Sequence, residues 1–144
     1  MPTSRETTTK RKHLQAADMD FSGTWQVYSE ENLESFLKAL DVPEMVVKMR
    51  KKVRPVMVIE HKGKDLSYTL KTPNFTVTNS VSIGKEAEIT ALDGRKVKCT
   101  VREENGKLIT ESDKFTSVRE IQGQEIIETV TSGSVVLISR SRRV

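Results

Sequence analysis

Few side chains in this chain stand where they could do covalent chemistry. The two histidines are isolated: His13 lies in a polar N-terminal stretch and His61 beside a turn. Cys99 is the single cysteine, set within an apolar-alternating strand, where a thiol most often serves as a small packed hydrophobe. No histidine–cysteine grouping has metal-ligand spacing, and no glycine-rich phosphate loop is present. These absences exclude the common nucleophilic, metal-assisted and phosphoryl-transfer sites, so the expectation is a protein that is not an enzyme and needs no cofactor. What remains is recognition chemistry. Phe115, Ser117, Arg119 and Ile121 share one phase of a predicted strand, while Thr116, Val118 and Glu120 share the other. If the first set faces inward, it brings a guanidinium and a hydroxyl to an apolar wall.

The elements that would position such residues follow from periodicity. Gly23-Thr24-Trp25-Gln26-Val27 reads as a first strand, running almost directly into a helix. Leu33, Phe36, Leu37 and Leu40 keep the i, i+3, i+4, i+7 spacing of one helical face. Asp41-Val42-Pro43 breaks that helix, and Pro43 suits the first position of another over about 43–53, ended by Pro55. In this second helix Val46, Met49 and Val53 form the expected inner face, and Lys48, Arg50, Lys51 and Lys52 a basic outer one. Beyond Pro55 nine short strands are predicted, over 56–62, 65–71, 75–81, 86–90, 96–103, 107–112, 115–121, 125–131 and 135–142. Breaks such as Asp93-Gly94 and Asn105-Gly106 supply the positive φ angles that two-residue hairpins require. Ten strands in meander order leave two exposed edges unless the sheet curls shut. The expectation is therefore an all-β, ten-stranded antiparallel up-and-down β-barrel with a helix-turn-helix lid between the first two strands. A barrel of ten strands with only seven aromatic residues in the whole chain should be hollow.

Composition agrees with one domain. The chain has 144 residues, 31% charged and 35% apolar, with no apolar run approaching the ~20 residues of a membrane-spanning helix. Residues 1–19 lack hydrophobic periodicity and are expected to form a disordered polar and basic extension, with 20–144 as the folded barrel domain. The pI of about 9.2 raises nucleic acid or another polyanion as a partner. Yet the formal net charge is only +4 and acidic and basic residues alternate along most strands, the pattern of a mixed solvated surface. Base-stacking proteins also need exposed aromatics, and those here sit in apolar motifs, so nucleic acid is not expected. The absence of an N-terminal apolar stretch and of paired cysteines points to the cytoplasm.

Gly23-x-Trp25-x-Val27, then Asn32-Leu33-Glu34-x-Phe36-Leu37, resembles the opening motif of the intracellular lipid-binding proteins, the fatty-acid-binding protein family. Leu33 replaces the aromatic usual there. Gly84-Lys85-Glu86, Asp93-Gly94-Arg95-Lys96-Val97-Lys98 and Asn105-Gly106-Lys107-Leu108 extend the resemblance, and the closing Ser141-Arg142-Arg143-Val144 is similar to the liver basic-type branch. The likeness spans residues 21–144. It implies a β-clam whose helical lid covers a portal, and an intracellular, monomeric carrier that binds bile acids or long-chain fatty acids and transports them through the cytosol. By this resemblance Phe115, Ser117, Arg119 and Ile121 face the cavity, with Arg119 as the main anion partner. The arginine and tyrosine that many members keep on the last strand fall on Ser139 and Ser141, which would supply hydroxyls instead. The neighbouring Arg140 has the opposite phase and should point outward. The resemblance also implies Arg95 as a rim contact and Phe75 as an apolar gate. The basic residues Lys48, Arg50, Lys51 and Lys52 could draw the lid toward an anionic membrane, at about 1 kcal/mol per basic residue near the surface.

Overall fold

A computed structural model of the protein describes residues 21–73, 76–91 and 94–144. The expected N-terminal extension, and Phe75, lie outside the described residues. Twelve elements follow in order: β1 (Gly23–Glu31), α1 (Leu33–Ala39), α2 (Glu44–Lys51), β2 (Val56–Lys62), β3 (Asp65–Lys71), β4 (Thr76–Ser82), β5 (Glu86–Thr90), β6 (Lys96–Glu104), β7 (Lys107–Ser112), β8 (Thr116–Gln122), β9 (Glu125–Ser132) and β10 (Val135–Arg143). All ten strands belong to one antiparallel sheet, and the first pairs with the last, Trp25 opposite Arg143 and Val27 opposite Ser141. The register of β1 and β10 slips between Val27 and Ser29, a bulge that bends β1 as it approaches the lid.

Turn chemistry accounts for the meander. Asn105 and Gly106 take φ of 52° and 80°, two successive left-handed residues joining β6 to β7 in the geometry that matches strand twist. The sheet closes along β1–β10, but the expected full closure is not a continuous ladder, because β4 and β5 are its two ends and do not pair. A side chain spans that seam. Asn79 on β4 donates from Nδ2 to the Thr90 carbonyl at 3.1 Å and accepts from the Thr90 N–H at 2.8 Å. The amide thus makes, for one residue of the short strand β5, the two bonds a neighbouring strand would have made.

Two separate apolar clusters fill the ends of the barrel. Phe21, Trp25, Ile59, Leu66, Val101, Leu108 and Ile126 belong to the first, which plugs the end opposite the lid. Trp25 is fully buried and its indole N–H donates to the Phe21 carbonyl at 3.0 Å, while the Arg143 guanidinium stacks 4.2 Å from its ring. The second cluster joins Phe36 and Leu37 of α1 and Val47 of α2 to Val130 and Leu137 of β9 and β10. Burying each of these side chains contributes roughly 1.5–3 kcal/mol, so the lid is held by its own apolar contacts.

The second helix is turned relative to expectation. Val47 and Arg50 are its buried residues, whereas Val46 and Met49 are half-buried. Met45-Val46-Val47 is a continuous apolar run, so the helical phase was ambiguous by one residue, about 100° of rotation. Arg50 settles it. Its guanidinium turns inward to the Glu30 carboxylate of β1, with Nη1 donating to Oε1 at 3.0 Å and Nη2 paired to Oε2. Arg50 is therefore not part of an exposed basic face.

Candidate ligand-binding site

Between the two clusters lies a cavity of about 580 Å³. Phe36, Leu40 and Val46 of the lid region roof it, and Leu70, Val77, Ile89, Val97 and Val130 give its apolar strand walls. Such walls arise from the period of two along each strand, which sends every second side chain inward. A smaller chamber of about 100 Å³ lies against it, lined by Cys99, Val101, Ser117 and Arg119 among others. Tyr68, Ile89, Phe115 and Glu128 line both spaces, so the chamber is the polar recess of one interior.

The recess owes its charge to cross-strand register. Arg119 on β8 stands directly opposite Glu128 on β9. Arg119 Nη2 donates to Glu128 Oε2 at 3.0 Å, and Ser117 Oγ donates to the same oxygen at 2.7 Å. The two side chains are only 15% and 22% exposed, so this pair is little screened. The guanidinium also lies 5.8 Å from the Tyr68 ring centroid. Burial pushes the Tyr68 phenol up to about 12, with Cys99 and Glu128 adding to the rise and Arg119 opposing it; it is neutral at physiological pH. Burial likewise raises the Cys99 thiol, which is 3% exposed and so is a poor nucleophile.

Phe115, Ser117 and Arg119 come together as the strand phase required, but Arg119 is already half of an ion pair. Ile121 shares their phase yet sits further along β8, packed against the cluster that plugs the closed end, and lines neither space. Ser139 and Ser141 are buried on the inward face of β10, and they too line neither space. Arg140 points outward to Glu31 at 2.9 Å. At the rim, Arg95 lines the cavity and donates to the Leu40 carbonyl at 2.8 Å, tying its hairpin to the end of α1. Lys48, Lys51 and Lys52 are exposed, and Lys51 pairs with Glu34 at 2.8 Å.

Glu128, Tyr68 and Asn79 were not among the residues the sequence singled out. The signal for Glu128 was present: Ile126, Glu128 and Val130 share the buried phase of β9, and an acid between two inward apolar residues needs a partner. Registers across the sheet place Glu30, Ser139, Glu128 and Arg119 side by side on β1, β10, β9 and β8. One polar row thus crosses the barrel wall, an ion pair at each end. Among the described residues no group of three His, Cys, Asp or Glu could hold a metal ion, and no helix is long and apolar enough to cross a membrane.

Residues 19–144 match the model of the lipocalin / cytosolic fatty-acid binding protein family. The liver fatty acid-binding protein of Schroederichthys bivius is 52% identical over 125 residues, covering 87% of this chain and 99% of that protein. That of Mus musculus is 35% identical over 127 residues, covering 88% and 100%. Among solved structures, the REP1-NXSQ fatty acid transporter superposes with a TM-score of 0.83 at 27% identity, covering 89% of this chain and 97% of that one. A Schistosoma mansoni fatty acid binding protein in complex with arachidonic acid has the same fold, with a TM-score of 0.81 at 23% identity over 86% of this chain and 96% of that one. With its ten-stranded sheet, its helical lid and this match over nearly its whole length, the chain belongs to the lipocalin / cytosolic fatty-acid binding protein family.

Proposed function

We propose that this protein is a monomeric cytosolic carrier of hydrophobic ligands, holding long-chain fatty acids or bile acids inside the barrel and releasing them without chemical change. The observation that carries the reading is the 580 Å³ interior, apolar on most walls and polar in one recess, beneath a lid of two helices. That size is in the range of small-molecule sites, and the few convergent polar groups orient what the apolar walls hold. Relatives named as fatty acid-binding proteins support it. The ligand's apolar body fills the space under Phe36 and Leu40, and the polar recess at Arg119 and Ser117 lies within its reach. Ser139 and Ser141, set behind the lining, act on it only through ordered water.

Displacement of a fluorescent fatty acid from the wild type tests this. Micromolar or tighter binding is expected. Retention on heparin without any lipid binding would overturn the carrier reading. Loading and unloading take place at anionic membranes, toward which Lys48 and Lys52 present exposed charge beside the exposed Met45. Transfer to anionic vesicles should slow as salt rises, and a salt-independent rate would refute the membrane contact.

A further inference from the structure

The polar recess carries no net charge. Glu128 compensates Arg119 at 3.0 Å, and of the groups around the pair, Ser117 is neutral and the buried phenol of Tyr68 and thiol of Cys99 stay protonated at physiological pH. The cations that line the larger cavity, Arg95, Lys96 and Lys114, are exposed residues from the hairpin ends. An ionised carboxylate brought to Arg119 would place a second negative charge beside Glu128, with one guanidinium to serve both and little water to screen them. Hydrogen-bonding capacity nevertheless remains. Both contacts to Glu128 use Oε2, so Oε1 accepts no hydrogen bond among the described residues. Arg119 engages Glu128 through Nη2 alone, and its Nη1 donates no hydrogen bond among the described residues either. An unused acceptor and an unused donor on a neutral pair match a head group that is itself uncharged and both donates and accepts.

We propose that the recess selects lipids whose buried polar group is uncharged, a hydroxyl or an amide on a long apolar body, and discriminates against an ionised carboxylate at that position. The group donates to Glu128 Oε1 and accepts from the Arg119 guanidinium. Glu128 is the residue that sets this specificity, because without its charge Arg119 becomes a free cation that prefers an anion. A carboxylate-bearing lipid then holds its anionic end toward Lys96 and Lys114 at the rim, and leaves the recess to any hydroxyl it carries. The proposal rests on the carrier reading and sharpens its ligand class.

The test is calorimetric titration of the wild type and of Glu128→Gln with oleyl alcohol, oleamide and oleate, each delivered from cyclodextrin. The wild type is expected to bind the alcohol and the amide at least tenfold more tightly than oleate. Glu128→Gln should lower that preference at least tenfold, chiefly by tightening oleate. A wild type that prefers oleate overturns the proposal while leaving the carrier reading intact, and so does a folded Glu128→Gln whose preference is unmoved. If the variant fails to fold, the wild-type preference alone decides. Binding of none of the three lipids refutes the carrier reading itself.

Discussion

The Arg50–Glu30 pair joins the lid to the barrel, and its removal should be felt by the whole domain. Both side chains are almost wholly buried, at 8% and 5% exposure, and the guanidinium meets the carboxylate through two nitrogens and two oxygens. Arg50→Ala would leave the Glu30 carboxylate buried without its partner. Breaking a buried pair from one side costs about 3–5 kcal/mol, because the remaining charge keeps its desolvation penalty and loses its compensation. At roughly 4 °C per kcal/mol for a domain of this size, the melting temperature should fall by about 12–20 °C. Replacing both partners, as in Glu30→Leu with Arg50→Met, removes the charge along with its partner and should recover most of the loss. Lys51→Ala is the control, since its pair with Glu34 is 48% and 42% exposed, screened by solvent, and contributes little. Urea unfolding followed through Trp25, the single and fully buried tryptophan, reads all four proteins. An Arg50→Ala variant no less stable than Lys51→Ala would refute the argument, and so would a double variant no better than the single one.

Two further predictions concern titratable groups, one on the lid and one in the barrel wall. Hydrogen bonds from Lys51 and then Lys38, with the attraction of both charges, lower the exposed Glu34 carboxyl from 4.5 to about 2. A depressed folded pKa contributes stability that is complete above the unfolded value near 4.5 and is lost as pH falls toward 2. Titration of its side-chain carbon shift should therefore show a midpoint far below 4.5 that rises in Lys51→Ala; an ordinary midpoint in the wild type would contradict the pairing. For Cys99, 3% exposed and with its thiol raised by burial, reaction with a disulfide reagent at pH 8 should be at least about tenfold slower in the folded protein than in urea, and equal rates would place the thiol at the surface.

Most of the fold could be read from local patterns because local chemistry determines it. Asn105-Gly106 can only turn one way comfortably, Leu33 to Leu40 can only bury one helical face, and strands predicted from their breaks match the observed bounds to within a few residues. The seam between β4 and β5 was not legible. Closure depends on how far apart two distant strands come to rest, and there a single amide, Asn79, replaces a ladder.

The same distinction runs through the site. Strand phase identifies Phe115, Ser117 and Arg119 as inward, since a side chain's face depends only on its own strand. Whether Arg119 is a free cation depends instead on which residue lies opposite it, and that is a matter of register between β8 and β9. A shift of one residue would set Arg119 against a side chain of the outward phase of β9 and leave it unpaired inside. Arg50 makes the converse case: Lys48, Lys51 and Lys52 around it in sequence are exposed, but its partner Glu30 is twenty positions away on β1. Both inward arginines were thus visible as residues but not as charges, because each is compensated by an acid on another element. Counting inward-phase acids against inward-phase bases before assigning an anion site would have exposed the balance: Glu128 on β9 answers Arg119 on β8, and Glu30 on β1 answers Arg50 on the lid. The electrostatics of this interior are therefore those of two closed pairs, and a buried anionic head group must either displace one of them or stay at the rim.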